Sequence, residues 1–438
     1  MSFVPVQTST FRHGSLSPDK KVLVDEFVGK PLDALRTPAI VIDRSVFAKN
    51  SARMHETAKQ WGTGFRAHLK THKTAEGTRL QLNSSADKTG AVVVSTLREA
   101  WGVVDAGLVA DGTVNDILYG LPVAVNKIAD LATLWDEIET HGATVRLLVD
   151  HPDQVYFLEE FEKQRATPRR WSAFIKVDGG QKRAGVSTAT PEFESLCSTI
   201  FNSPAISVYG FYCHAGNAYA STSLPEASRF LSSEVEAVNT AAGLALAILS
   251  GSPHSAAHNQ PFILSVGSTP TAHAASAETK AQLSSLLHGS LELHAGNYPM
   301  LDLQQLHTGL IDRSQIAQRV QTTVISYYPG RGEGGTDEAL CDAGGIAMSK
   351  DGGPIPGYGQ VIGKPWTLER ISQEHGTLTP VTDGTAQPER LQVGSVISVI
   401  GQHACLIAAA YPWYYIVDSD VEGGAEKVVD VWVPWKGW

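Results

Sequence analysis

From about Pro38 to Asp302, short apolar runs alternate with longer stretches of helical period, and this alternation constrains the fold more than any other feature. The runs include Ala39–Ile42, Ala91–Val94, Val145–Val149, Ala173–Val177, Val208–Tyr212 and Phe262–Val266. Each is rich in β-branched or aromatic residues and bounded by Gly, Asp, Ser or Pro, as buried strands are. Between them, Val46–Trp61 carries Phe47, Met54 and Ala58 at helical spacing, and Ile128–Ile138 repeats Ile128, Leu131, Leu134 and Ile138. Pro225–Ile248 is the longest such pattern. A strand and a helix recurring every ~25–40 residues predict βα units around a parallel sheet, and about eight units fit. The expected fold is α/β, a (β/α)8 TIM-type barrel over residues 36–308. A doubly wound open sheet would show the same alternation.

After Leu310 the texture changes. Runs of β type such as Arg319–Ser326 stand between Gly-rich turns at 330–335, 352–359 and 423–424. This predicts a second, mostly β domain over 309–438, with residues 1–35 assigned to it. At 438 residues the chain exceeds one ordinary core, so two domains are expected. Its formal charge of -10 argues against nucleic acid, whose phosphates need a basic face. The four cysteines (Cys197, Cys213, Cys341, Cys405) show no paired spacing, which points to a reducing compartment rather than a disulfide framework. Met1–Leu16 has neither the basic start nor the apolar run of a signal peptide. No apolar stretch approaches the ~18 residues of a membrane span. A soluble, cytosolic protein is expected.

The densest chemical cluster is Arg66-Ala67-His68-Leu69-Lys70-Thr71-His72-Lys73, near the end of an early strand. In a parallel barrel, C-terminal strand ends face the active site. Arg66, His68, Lys70 and His72 alternate, so an extended chain would point all four one way. Such crowding calls for an anion among them, for which a phosphate-bearing cofactor would serve, and it favours a nucleophilic lysine amine. A solvated basic edge would show the same residues.

Arg-x-His-x-Lys-Thr-His-Lys, preceded by Thr37-Pro38-Ala39-Ile40-Val41-Ile42-Asp43, resembles the start of the D-serine dehydratase and D-threonine aldolase family. These are alanine-racemase-like, fold type III pyridoxal-phosphate enzymes. Four more segments match in order: Val177–Val186, Tyr212–Tyr219, Ser265–Thr271 and His294–Tyr298. The resemblance implies that Lys70 carries the cofactor as a Schiff base and that Arg183 approaches its phenolic oxygen. It places Tyr212, His214 and Tyr219 beside the cofactor, and the phosphate at the turns Gly267-Ser268-Thr269 and Gly296-Asn297. A glycine-containing turn after a strand also offers backbone N–H groups to an anion, although ordinary βα turns look alike.

The second constellation is Gln402-His403-Ala404-Cys405, after the apolar run Ser395–Ile400. In an extended chain His403 and Cys405 would project on one side, ~6–7 Å apart. Imidazole and thiolate together suit zinc, while a buried cysteine beside an unrelated histidine would give the same spacing. The resemblance implies a metal here, and cysteine rather than aspartate at the second position resembles the dehydratases. It also implies a homodimer. The expected reaction is dehydration of D-serine or a similar small D-β-hydroxy amino acid to a 2-oxo acid and ammonia. A metal-dependent D-threonine aldolase and a non-catalytic pyridoxal-phosphate carrier are the alternatives.

Overall fold

A computed structural model describes residues 17–250, 260–276, 287–381 and 389–438. Eight parallel strands close into a barrel. They are β2 (Gly64–His68), β3 (Ala91–Val94), β4 (Asp116–Pro122), β5 (Thr144–Val149), β6 (Trp171–Lys176), β7 (Ile206–Tyr212), β8 (Phe262–Val266) and β9 (Gly289–Ala295). Closure comes from β9 pairing back onto β2, with Phe65 opposite Leu293 and Arg66 opposite His294. The open doubly wound sheet is thereby excluded.

The helices form where their caps and apolar stripes predict. Asp43 accepts hydrogen bonds from the amides of Ser45 and Val46 to start the helix Arg44–Trp61, and Gly62 ends it in the left-handed region (φ 64°). Its buried face includes Phe47, Met54, Ala58 and Trp61. Ile128–Ile138 buries the four expected apolar residues, and the longest helix runs Leu224–Ser250. Helix and strand faces share one large apolar core outside the barrel wall.

The second domain is a nine-stranded sheet ordered β11-β14-β13-β12-β15-β10-β1-β16-β17. Its strands are β1 (Ala39–Asp43), β10 (Gln318–Tyr328), β11 (Glu338–Cys341), β12 (Gly359–Val361), β13 (Trp366–Ile371), β14 (Gly376–Pro380), β15 (Val396–Gly401), β16 (Tyr414–Val417) and β17 (Asp430–Trp432). Here the expected boundary at residue 36 needs correction. The run Ala39–Ile42 does not open the barrel but lies inside this sheet, antiparallel to β10 and parallel to β16. Strands buried on both faces read alike in either domain, so local sequence could not choose. Leu23 of the helix Lys20–Phe27 packs with Val41, Tyr415 and Val417, which ties this part of the N-terminal region to the sheet. The rest of the segment assigned to the β domain, residues 1–16, lies outside the described residues. No helix among the described residues is long and apolar enough to cross a membrane.

Candidate active site

The barrel interior is charged at its floor. Arg66, 1% exposed, bonds Asp116 through Nη1 (2.7 Å) and Glu292 through Nε (2.9 Å). Arg146 holds the other Asp116 oxygen at 2.7 Å and stacks on Tyr209 at 3.4 Å. Arg66 is therefore neutralised by carboxylates of the barrel itself and is not free for a cofactor, contrary to the four-residue face expected from alternation. His72 departs from that face as well. The strand ends at His68, the chain turns, and His72 is buried against Gln81 (2.6 Å), Thr74 and the Phe47 ring.

His68 and Lys70 do lie at the mouth. The Lys70 side chain passes over Gly296, where an added Cβ would stand 3.3 Å from its Cε and 3.2 Å from the His68 Cβ. His68 accepts the Lys70 amide at Nδ1, and burial followed by the nearby Lys70 charge keeps its imidazole neutral. Tyr212, at the end of β7, stacks on His294 with centroids 4.0 Å apart. His214 shares a hydrogen bond from Nδ1 with the Gly267 carbonyl (2.7 Å). Burial drives both His214 and His294 well below the usual imidazole range. Burial likewise raises Tyr212 and Tyr219 above the usual phenol range. Arg183 acts electrostatically on Lys176, Tyr212, His214 and Tyr219, so it belongs to the same mouth.

The two turns form one wall. The Gly267 backbone (φ 142°) passes so close to the His294 carbonyl that a Cβ would fall 2.0 Å from its oxygen. The Asn297 amide donates to Thr269 Oγ1 (3.1 Å), and Tyr219 lies beside Thr269. Three amides expected to face an anion are already bonded within the protein: Gly267 to Glu234, Ser268 to Thr271 and Asn297 to Thr269. Any anion there must be met by the remaining donors of the turns.

His403 and Cys405 come together, though not as an extended pair. His403 is the N-cap of the helix Ala404–Ala410, and Cys405 stands in its first turn. The two side chains lie close enough that each favours the charged form of the other. Burial opposes the His403 charge, but Cys405, Asp302 and Asp351 overcome it and raise the imidazole to about 9. Burial likewise opposes the thiolate, and His403, Lys70 and Thr71 together pull Cys405 below its ordinary value. Asp351 sits 2.5 Å from His403 Nδ1, leaving Nε2 for a metal beside the sulfur. An imidazole and a readily ionised thiol are a donor set that fits zinc. Among the described residues no group of three or more His, Cys, Asp or Glu converges as a metal cage.

Several residues escaped the sequence reading. Lys176, buried at the end of β6, lies 4.6 Å from the Tyr212 ring, and burial lowers its amine to about 8. A charge ending the apolar run 173–177 was its visible signal. Glu234 interrupts the buried stripe Ala227, Leu231, Val235, Val238, and that break was its signal. Burial raises its carboxyl to about 7, while Oε1 accepts the amides of Ala215 and Gly267. Asp302 and Asp351 gave none, because their partners are remote in sequence.

Residues 42–281 match the family model described as "Alanine racemase, N-terminal domain", and residues 317–417 match "Putative serine dehydratase domain". A D-serine dehydratase of Schizosaccharomyces pombe is 43% identical, covering 97% of both chains. This chain belongs to the D-serine dehydratase family. Another D-serine dehydratase, from Saccharomyces cerevisiae, is 34% identical over 95% of this chain and 99% of its own. The family is alanine-racemase-like, which implies pyridoxal phosphate as cofactor. D-threo-3-hydroxyaspartate dehydratase from Delftia sp. superposes with a TM-score of 0.75 at 28% identity, over 93% of this chain and 100% of that one. That protein was also solved as a histidine-to-alanine variant and, two residues on, as a cysteine-to-alanine variant in the metal-free form.

Proposed function

We propose that this chain is a lyase that dehydrates D-serine, or a similar small D-β-hydroxy amino acid, to a 2-oxo acid and ammonia. Pyridoxal phosphate would be held on Lys70, and zinc between His403 and Cys405. The observation that carries the reading is that Cys405 meets the segment of Lys70: Thr71 Oγ1 lies 3.1 Å from its sulfur, and Lys70, Thr71 and Cys405 line one small cavity of about 150 Å³ together with Lys73, Ala409, Tyr414 and Lys436. The residues at the barrel mouth fit the cofactor. Gly296 leaves room for the lysine, and the buried His294 Nε2 and Asn297 Oδ1 have no protein partner among the described residues. The metal assignment is supported by the mutually ionising His403–Cys405 pair and by the two-residue spacing of the altered positions in the Delftia enzyme.

Bound pyridoxal phosphate supplies an electron sink for the substrate's Cα. Zinc supplies a Lewis acid for the departing β-oxygen. The protein's own groups do the rest. Lys70 would serve as the base for the substrate's Cα proton. Arg183, whose charge reaches Tyr212, His214 and Tyr219, would approach the cofactor's phenolic oxygen, and those three residues would flank the cofactor. The neutral imidazoles of His68, His214 and His294 add no further positive charge beside Lys70. Homodimerisation and a cytosolic location belong to the same proposal, the first resting on the family resemblance and the second suited by four free thiols.

The test is product identity. D-Serine with zinc should yield pyruvate and ammonia, L-serine should react far more slowly, and chelation should abolish turnover until zinc is restored. Glycine and an aldehyde from D-threonine as the main products would make it an aldolase. No product from any D-amino acid would make it a carrier.

A further inference from the structure

A continuous line of hydrogen bonds joins the cofactor turns to the metal pair. Thr269 Oγ1, in the turn after β8, accepts the Asn297 amide at 3.1 Å. The Asn297 side chain donates from Nδ2 to Asp302 Oδ2 at 2.5 Å. The same carboxylate oxygen accepts the amide of Ala404 at 2.8 Å, the one residue between His403 and Cys405. Its other oxygen accepts the Gln305 amide at 2.9 Å. Asp302 and Asn297 are both completely buried. A buried carboxylate with three donors has no slack, since losing any of them leaves an uncompensated polar group.

The position of Asp302 is unusual for a carboxylate so near a metal pair. Among the described residues it joins no cage of metal-ligating side chains, and its oxygens are taken by donors from three segments. One belongs to the turn after β9, which carries Asn297. Another belongs to the helix whose first turn carries Cys405. The third is its own helix start. Asp302 thus clamps a barrel loop to a helix start of the β domain, between the two proposed binding sites.

Resting on the proposed cofactor and zinc sites, we infer that Asp302 is a positioning residue that couples them: occupancy of one site tightens the other through the Asn297–Asp302–Ala404 bridge. Zinc between His403 and Cys405 holds the Ala404 amide in place, which fixes Asp302 and hence Asn297 in the turn that faces the cofactor. By linkage the effect runs equally in reverse.

The experiment titrates pyridoxal phosphate into cofactor-free protein with and without zinc, and zinc into the protein with and without pyridoxal phosphate. Absorbance and metal content are read, so that no turnover is needed. In the wild type each ligand should tighten the other by about fivefold or more. In Asp302→Ala the oxygen that accepts both Asn297 and Ala404 is gone, so the bridge is cut on both arms. Zinc affinity should fall about 10–100-fold, as for other supports of metal ligands, and the mutual tightening should collapse toward one. Should that variant fail to fold, Asn297→Ala cuts only the cofactor arm. It should keep zinc binding while losing the coupling. Undiminished coupling in either variant overturns the inference, as does a wild type that binds both ligands independently. A wild type that takes up no zinc removes the metal assignment itself, and the coupling with it, which is a different failure.

Discussion

The floor and the mouth of this barrel hold charges of the same kinds in opposite states. At the floor, Arg66 and Arg146 meet Asp116 and Glu292 in direct ion pairs, and Ser265 adds a hydrogen bond to Glu292. At the mouth, buried Lys176, half-buried Lys70 and exposed Arg183 make no ion pair among the described residues, and three neutral histidines stand near them. Buried charge is tolerated only when compensated. The floor compensates its own and so reads as framework. The mouth carries a cationic surplus that an anionic guest such as a phosphate or a carboxylate would complete. The difference separates structural from functional ionic residues without reference to any relative.

Four substitutions sharpen or break that contrast. The largest effect is expected from Lys70→Ala. Turnover should fall by about 10²–10⁴-fold from loss of the proton-transfer group alone, and borohydride should no longer fix the cofactor to the Lys70 peptide. Urea unfolding should show unchanged or raised stability, because an uncompensated cation has gone. A clear loss of stability would place Lys70 with the framework. Cys405→Ala comes next. Loss of ~4 kcal/mol of leaving-oxygen stabilisation slows turnover about a thousandfold, and metal analysis should find most zinc gone while the visible cofactor absorbance stays. Undiminished zinc in that variant would reduce the pair to a buried cysteine beside a histidine.

At the floor the pattern should reverse. Asp116→Ala leaves Arg66 with Glu292 only and Arg146 with no carboxylate, so denaturant unfolding should show a loss of about 3 kcal/mol. Turnover per folded molecule should stay within about twofold. A large loss of turnover at unchanged stability would make the floor part of the chemistry.

The smallest effect is a pH dependence at Glu234, which accepts the amides of Ala215 and Gly267 behind the mouth. Its carboxyl ionises at about 7 in the folded protein against 4.5 when exposed, because burial penalises the charge. The folded state therefore binds the proton more tightly. This contribution is complete below 4.5, declines as pH climbs through 7, and amounts to no more than about 3 kcal/mol. Glu234→Gln keeps an acceptor for the Ala215 amide and removes the titration. The stability of the variant relative to wild type should rise between pH 5 and pH 8, and a difference independent of pH would disprove it.

Much of the site was legible in the chain because its residues cluster at strand ends. Lys70 two residues after β2, Tyr212 and His214 at the end of β7, and the glycines after β8 and β9 stand where a parallel barrel presents chemistry. The reading failed where it extended an alternation past the point at which the backbone turns, as at His72, or assumed a free side chain, as at Arg66. It also treated His403-x-Cys405 as a strand pair, whereas the two meet across a helix start.

The sequence by itself determined the strand and helix segments, the cap that starts the helix at Arg44, the His-x-Cys spacing and the lysine at a strand end. These depend on neighbours within a few residues, whose period and turn chemistry are written locally. Only the tertiary structure decided that β1 joins the β sheet, that Arg66 is answered by Glu292, and that Asp302 reaches Ala404. In each case the partner lies far along the chain, and its carboxylate, amide or strand edge has no local signature. Closing the barrel brings those groups within hydrogen-bond reach, and burial makes each pairing obligatory.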